Sequence, residues 1–357
     1  MTEIRSLTSL RGLAALWVFL FHLAAEQPDT FGGAGRILAI GRGYIAVDLF
    51  FVLSGFVMAL TYRGLFRDTP FSAAYPRFLW RRIARIMPLN AVIVLAIAAA
   101  VWFVPGSLPG NFGEAKHPWT VLANLFLVQD WGLAPSIDKP AWSVSVEMAL
   151  YLIYPLLLAL AWSRRLWAAP ALIGCAALAW LAGQGQGVVS QGLVSGDFIR
   201  GLAGFYFGLL CFRLFAAPAA RKVAGQAELA IVAAFWALFV WSPSDLWPIL
   251  LCPALVFSLA TEQGLVGRVL KAGPLHYLGQ ISYSIYLTHD CVIAAVGGLP
   301  IGSGALRAGL AAALTLLLSA ATYHGIERPA RRWIAGKNKT MRKLSGTPSP
   351  AIVGPVS

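Results

Sequence analysis

Apolar runs alternate with short polar, mostly basic connections along nearly the whole chain. Stretches long enough and poor enough in charge to cross a hydrocarbon core cover residues 8–25, 44–62, 86–104, 143–162, 167–183, 198–215, 227–241, 246–260, 275–295 and 305–324. The two-residue alternation of an outer-membrane barrel is absent. The pattern predicts an all-α polytopic membrane protein with about ten transmembrane helices. Residues 119–131 are also apolar, but Gln129 and Asp130 close the run early. That segment is read as interfacial or re-entrant.

Composition agrees with the pattern. The chain is 58% hydrophobic and 12% charged over 357 residues, against about 45–50% and about 25% in soluble domains. Its net charge of +13 would point to nucleic acid in a soluble protein. In a membrane protein the positive-inside rule accounts for it. With the N-terminus in the cytoplasm, most Lys and Arg fall on that side, and Arg36, Arg42, Lys116, Lys139, Arg200 and Arg307 fall on the other. Both termini are therefore expected inside. Arg5 and Arg11 before an apolar core resemble a signal peptide, but the further spans favour an uncleaved first helix. The four cysteines, Cys175, Cys211, Cys252 and Cys291, show no ligand spacing and read as small apolar fillers, with no metal expected. Residues 1–335 form one transmembrane domain, and 336–357 are polar and read as a disordered cytoplasmic tail.

Ionisable groups inside the apolar runs narrow the function. Arg11 and His22 are eleven residues apart, about three helical turns plus 20°, so they share a face about 16 Å apart along the axis. Asp48 and Glu147 enter their spans from the outer end by about one turn, and His289 lies in the outer half of its own. Four titratable groups from four helices at one depth predict a polar cavity, because such groups are costly in a membrane. An imidazole beside a carboxylate is the minimal general base with its orienter. Either Asp48 or Glu147 fits the orienting role. Arg82 and Arg85 share a helical face on the cytoplasmic side, and paired guanidiniums suit phosphate oxygens. Asp197 and Arg200 at the outer mouth of one span read as surface groups, and Glu327 with Arg328 and Arg331 as an ion-pair cluster at headgroup level.

These residues also stand in a recognisable order. The chain resembles the acyltransferase-3 family of integral membrane acyltransferases from about Ile4 to Trp333. The resemblance rests on Arg11 and His22 with ten residues between, Val47–Phe56 (Val-Asp-Leu-Phe-Phe-Val-Leu-Ser-Gly-Phe), Arg82-x-x-Arg85, Trp142-Ser-Val-Ser-Val-Glu147, and Ile281-Ser-Tyr-Ser-Ile-Tyr-Leu-Thr-His289. It departs at Ala46, where a glycine is common, at Asn90, where a tyrosine often follows, and at Thr288, where an aromatic is expected. The resemblance implies transfer of an acyl group, most often acetyl, from cytoplasmic acyl-CoA to a hydroxyl of a cell-surface polysaccharide or other glycoconjugate. His22 would be the base with Asp48 or Glu147. Arg11, Arg82 and Arg85 would hold the acyl-CoA phosphates, and His289, Tyr286 and Ser282 would meet the substrate. Direct transfer and a transient acyl-histidine both stay open. The expected location is the bacterial inner membrane, with membrane lipids around the bundle and no nucleic-acid partner. The alternative is a proton-coupled transporter, in which the same intramembrane groups would relay protons.

Overall fold

The computed structural model describes residues 3–27, 38–104, 108, 110–183 and 195–333; the expected tail lies outside them. Those residues form an all-helical bundle. Its main helices are α1 (Arg5–Glu26), α2 (Ala46–Asp68), α3 (Phe71–Phe103), α4 (Pro118–Leu125), α5 (Ala141–Trp162), α6 (Ala169–Gly183) and α7 (Gly196–Phe215). They continue with α8 (Pro218–Gln226), α9 (Glu228–Trp241), α10 (Leu246–Ala260), α11 (Gly273–Gln280), α12 (Ser282–Gly297) and α13 (Gly304–Thr322). Among the described residues, six helices are long and apolar enough to cross a membrane, or seven if α8 and α9, bent by 61°, are taken as one span. Each of the ten expected segments lies on helix, although α6 and α10 are only 15 residues long. The 119–131 stretch is the short α4, a turn through Leu127 at φ 57°, and a 3-10 turn at Gln129–Trp131, too short to span.

Burial sorts the helices into an inner and an outer set. The apolar window of α2 is 72% buried within the protein, whereas that of the last helix is 17% buried and faces outward. The inner pair α2 and α7 touch backbone to backbone. A side chain at Gly55 would strike the Phe205 carbonyl, and one at Gly208 would strike that of Val52. Small residues at a crossing let helices approach closely where no solvent drives them together. A second such crossing joins α1 to α11, with Gly12 against the Gly279 backbone and Gly279 against Thr8. It lies one residue from Arg11 and fixes where that guanidinium enters the bundle.

Two expected elements differ in detail. The 275–295 span is divided at Ile281, whose backbone (φ −88°, ψ 3°) ends α11 and begins α12. The Ser282 hydroxyl donates to the Gly279 carbonyl across that break, satisfying one of the acceptors the turn frees. The 86–104 span is only the second half of α3, whose 33 residues run on through Arg82 and Arg85 to Phe71. The departures Asn90 and Thr288 both bond across elements: Asn90 donates to the Asn124 carbonyl, and Thr288 meets Ser319 of α13 at 3.0 Å.

Candidate active site

A cavity of about 930 Å3, counting the solvent at its mouth, opens between α1, α2, α3, α5 and α12. Arg11, Arg82, Arg85 and Glu147 line it together, with Tyr286 at the α12 wall. Arg82 is held in place: its Nη2 donates to the Tyr62 hydroxyl at 2.7 Å, and its guanidinium lies 5.0 Å from the Tyr62 ring and 5.8 Å from that of Tyr151. Tyr283 donates to the Ile86 carbonyl at 2.6 Å, pinning α12 to α3 beside Arg85. Arg11 and Arg85 form no hydrogen bond or ion pair among the described residues. Three cations thus share a cavity with one carboxylate, and that carboxylate is engaged: Glu147 accepts the Ser54 hydroxyl proton at 2.5 Å. Like-signed guanidiniums partly buried around one cavity repel one another. Such a set suits anionic oxygens.

Arg331 adds to this positive field. It pairs with Glu327, which is 1% exposed and also accepts from Ser284 of α12. Of the expected cluster at the end of the last helix, Glu327 is thus buried, Arg331 is partly exposed and Arg328 is exposed, and Arg331 lies in electrostatic range of Arg85 and Arg11.

Beyond Tyr286 stands a pair of histidines. The Tyr286 hydroxyl meets Ser143 at 2.8 Å, and its ring is 6.1 Å from that of His289. His289 Nε2 is 3.1 Å from His22 Nδ1, which also lies 3.0 Å from the Val18 carbonyl. His22 is partly exposed. His289 is wholly buried, and neither histidine is among the residues that line the cavity. Ser282 and Tyr286 do line the cavity.

The two carboxylates considered as partners of His22 point elsewhere. Asp48 receives Arg200 Nε at 2.9 Å and Nη2 at 2.5 Å, while Arg200 Nη1 reaches Asp197 at 3.3 Å. Arg200 and Asp197 are 2% and 3% exposed, so they form a buried ionic knot between α2 and α7, not a surface patch. Glu147 faces the cavity cations. The neighbour that completes His22 is another histidine, 267 positions along the chain, which no local spacing signals.

The rim beside the histidines is acidic. Glu26, one turn beyond His22, is paired with Lys139, whose backbone N–H donates to Asp290 at 3.3 Å. Asp138 is 1% exposed and neither of its oxygens has a partner among the described residues. Burial, then the adjacent Asp290, push the Asp138 carboxyl well above the usual carboxylate range. The folded state therefore binds a proton that the unfolded chain gives up, so this group costs stability as pH rises from the ordinary carboxylate pKa to the raised one. Asp138→Asn should raise the melting temperature in detergent at pH 8 and lose that advantage as the pH is lowered to about 4. Parallel melting curves at all pH values would refute the assignment. Among the described residues, no group of three or more His, Cys, Asp or Glu is placed to hold a metal ion.

A helical membrane protein with a cationic cavity and, on the far side of one of its lining residues, Tyr286, a pair of imidazoles has the parts of a group-transfer enzyme. Comparison with known proteins gives the class. The acyltransferase domain that defines the acyltransferase-3 family matches residues 4–324, and the chain belongs to that family. It is an acyltransferase of the membrane-embedded kind. Acyltransferase MdmB of Streptomyces mycarofaciens is 38% identical over 49% of this chain and 45% of its own length. The putative membrane-bound transacylase BcsY of Komagataeibacter xylinus is 30% identical over 91% of this chain and 82% of its own. The peptidoglycan O-acetyltransferase OatA of Listeria monocytogenes is 25% identical over 92% and 56%. The match thus spans about half the length of MdmB and of OatA. No solved structure matches the chain.

Proposed function

We propose that the protein transfers an acyl group, most simply acetyl, from acyl-CoA on the cytoplasmic side of the bacterial inner membrane to a hydroxyl of a glycan or glycoconjugate. The observation that carries this is the unpaired pair of guanidiniums, Arg11 and Arg85, facing one cavity with Arg82. Phosphate oxygens of the donor supply what those groups lack, and guanidiniums bind them by charge-assisted, bidentate bonds. His22 accepts the proton of the acceptor hydroxyl as the oxygen attacks the thioester carbonyl carbon. The C–S bond then breaks, and the proton passes from His22 to the departing thiolate. The new ester and the free thiol balance the reaction without an outside proton. A thioester needs only this modest help, because thiolate is a good leaving group and the site supplies proximity. The curated relative OatA, a peptidoglycan O-acetyltransferase, supports a cell-surface acceptor.

The donor assignment has a direct test. Arg11→Ala and Arg85→Ala should each weaken acetyl-CoA binding by about tenfold or more, the usual worth of a hydrogen bond to a charged group. Arg5→Ala, at an exposed position outside the cavity, should leave it unchanged. Calorimetry on the detergent-solubilised protein reads all three. Equal affinities across the set would remove the cavity as the donor site, and proton-driven glycan flux without use of acetyl-CoA would favour a transporter.

A further inference from the structure

We infer that His289 is a positioning residue that holds the Nδ1 proton of His22 and so leaves the Nε2 lone pair of His22 free to act. The inference rests on His22 being the base. Its starting point is a chain of hydrogen bonds whose direction has one solution. His289 Nδ1 lies 3.1 Å from the Ile285 carbonyl, and a carbonyl oxygen can only accept. The proton on His289 is therefore on Nδ1, and its Nε2 carries a lone pair. That lone pair faces His22 Nδ1 at 3.1 Å, and the Val18 carbonyl faces the same nitrogen at 3.0 Å. Both neighbours are acceptors, so His22 carries its proton on Nδ1. In neutral His22 the basic nitrogen is Nε2, which has no partner among the described residues.

The same geometry divides the roles. His289 has both nitrogens occupied and no exposed surface, so it cannot take a proton from an acceptor hydroxyl. Phe19 stands edge-on to its ring at 6.4 Å, and Tyr286 flanks it at 6.1 Å, which fixes the imidazole in place. When His22 gains a proton at Nε2, its Nδ1–H already points at a neutral acceptor, and nothing needs to rotate. A neutral acceptor steadies the imidazolium less than a carboxylate would. That suits a base that must hand its proton on to a thiolate within the same turnover.

A pair of near-isosteric replacements isolates the acceptor. Gln at 289 offers a carbonyl oxygen where the imidazole nitrogen stood; Met fills similar space with a thioether that accepts only weakly. His289→Met should lower kcat by about 10- to 100-fold, the range spanned by one lost charge-assisted hydrogen bond. The acetyl-CoA KM should not change, and His289→Gln should recover most of the loss. In protein labelled with 15N-histidine, the His22 Nδ1–H signal should persist in the Gln variant and weaken in the Met variant. Wild-type kcat for His289→Met, a change confined to KM, or equal loss in both folded variants would overturn the positioning role. His22→Ala is assayed beside them: activity surviving there overturns the base itself, whereas its loss with an unaffected His289→Met overturns the positioning role alone.

Discussion

His22→Ala should abolish acyl transfer while the protein still inserts, folds and binds acetyl-CoA. A positioned general base contributes roughly 100- to 10,000-fold, and loss of that order takes turnover to the background of empty membranes. Folding should survive because the His22 side chain is partly exposed and its hydrogen-bond partners among the described residues are the Val18 carbonyl and His289 Nε2. Binding should survive because His22 is not among the residues that line the cavity with the guanidiniums. The measurement uses inside-out vesicles with labelled acetyl-CoA added to the cytoplasmic face, and label is sought on glycan. Monodisperse protein with wild-type acetyl-CoA affinity and no label is the expected outcome. Undiminished label would sink the assignment of His22.

Arg200→Met should be the most damaging single change to stability. Arg200 forks onto both oxygens of Asp48 and also reaches Asp197, with all three side chains at most 5% exposed. Removing the cation strands two carboxylates in a low-dielectric interior, and breaking a buried pair in this way costs about 3–5 kcal/mol. The loss falls on the α2–α7 crossing, where Gly55 and Gly208 leave no slack for a shift of backbone. A melting temperature lowered by more than about 5 °C is expected. Adding Asp48→Leu and Asp197→Asn to Arg200→Met should restore much of it, because apolar or neutral groups then replace every stranded charge. A single variant that melts with the wild type would mean the knot contributes little.

The apolar runs made the helices legible, because a segment in lipid must satisfy its backbone internally and helices do so locally. The break at Ile281 was not legible, since no proline marks it within 275–295 and the crossing that accompanies it depends on Gly12, far away in sequence. Arg11, Arg82, Arg85 and Glu147 were singled out from their positions, and the fold gathers them on one cavity. The partner of His22 was another matter. Depth along a helix can be read from sequence, but the azimuth of one helix against another cannot. Asp48 and Glu147 were therefore equivalent as partners of His22, and His289 was placed with the substrate. Packing separates them: α2 turns Asp48 toward Arg200, α5 turns Glu147 toward Ser54, and α12 alone faces α1 at His22. Asp197 and Arg200 read as surface groups because they begin a helix, a position that carries no information on what covers it.

The rigid α1 has one more consequence. Arg11 and His22 ride on an unbroken helix, anchored at Gly12 by backbone contact with α11. Their separation of about 16 Å along the axis is therefore a fixed length, set by helical rise and not by side-chain flexing. On the proposed reading, a donor gripped at Arg11 must carry its acyl carbon that far before the imidazole can serve it. Acetyl-CoA has a long arm between its phosphates and its thioester; acetyl phosphate has none. The first helix thus works as a ruler, selecting the donor by reach as well as by charge.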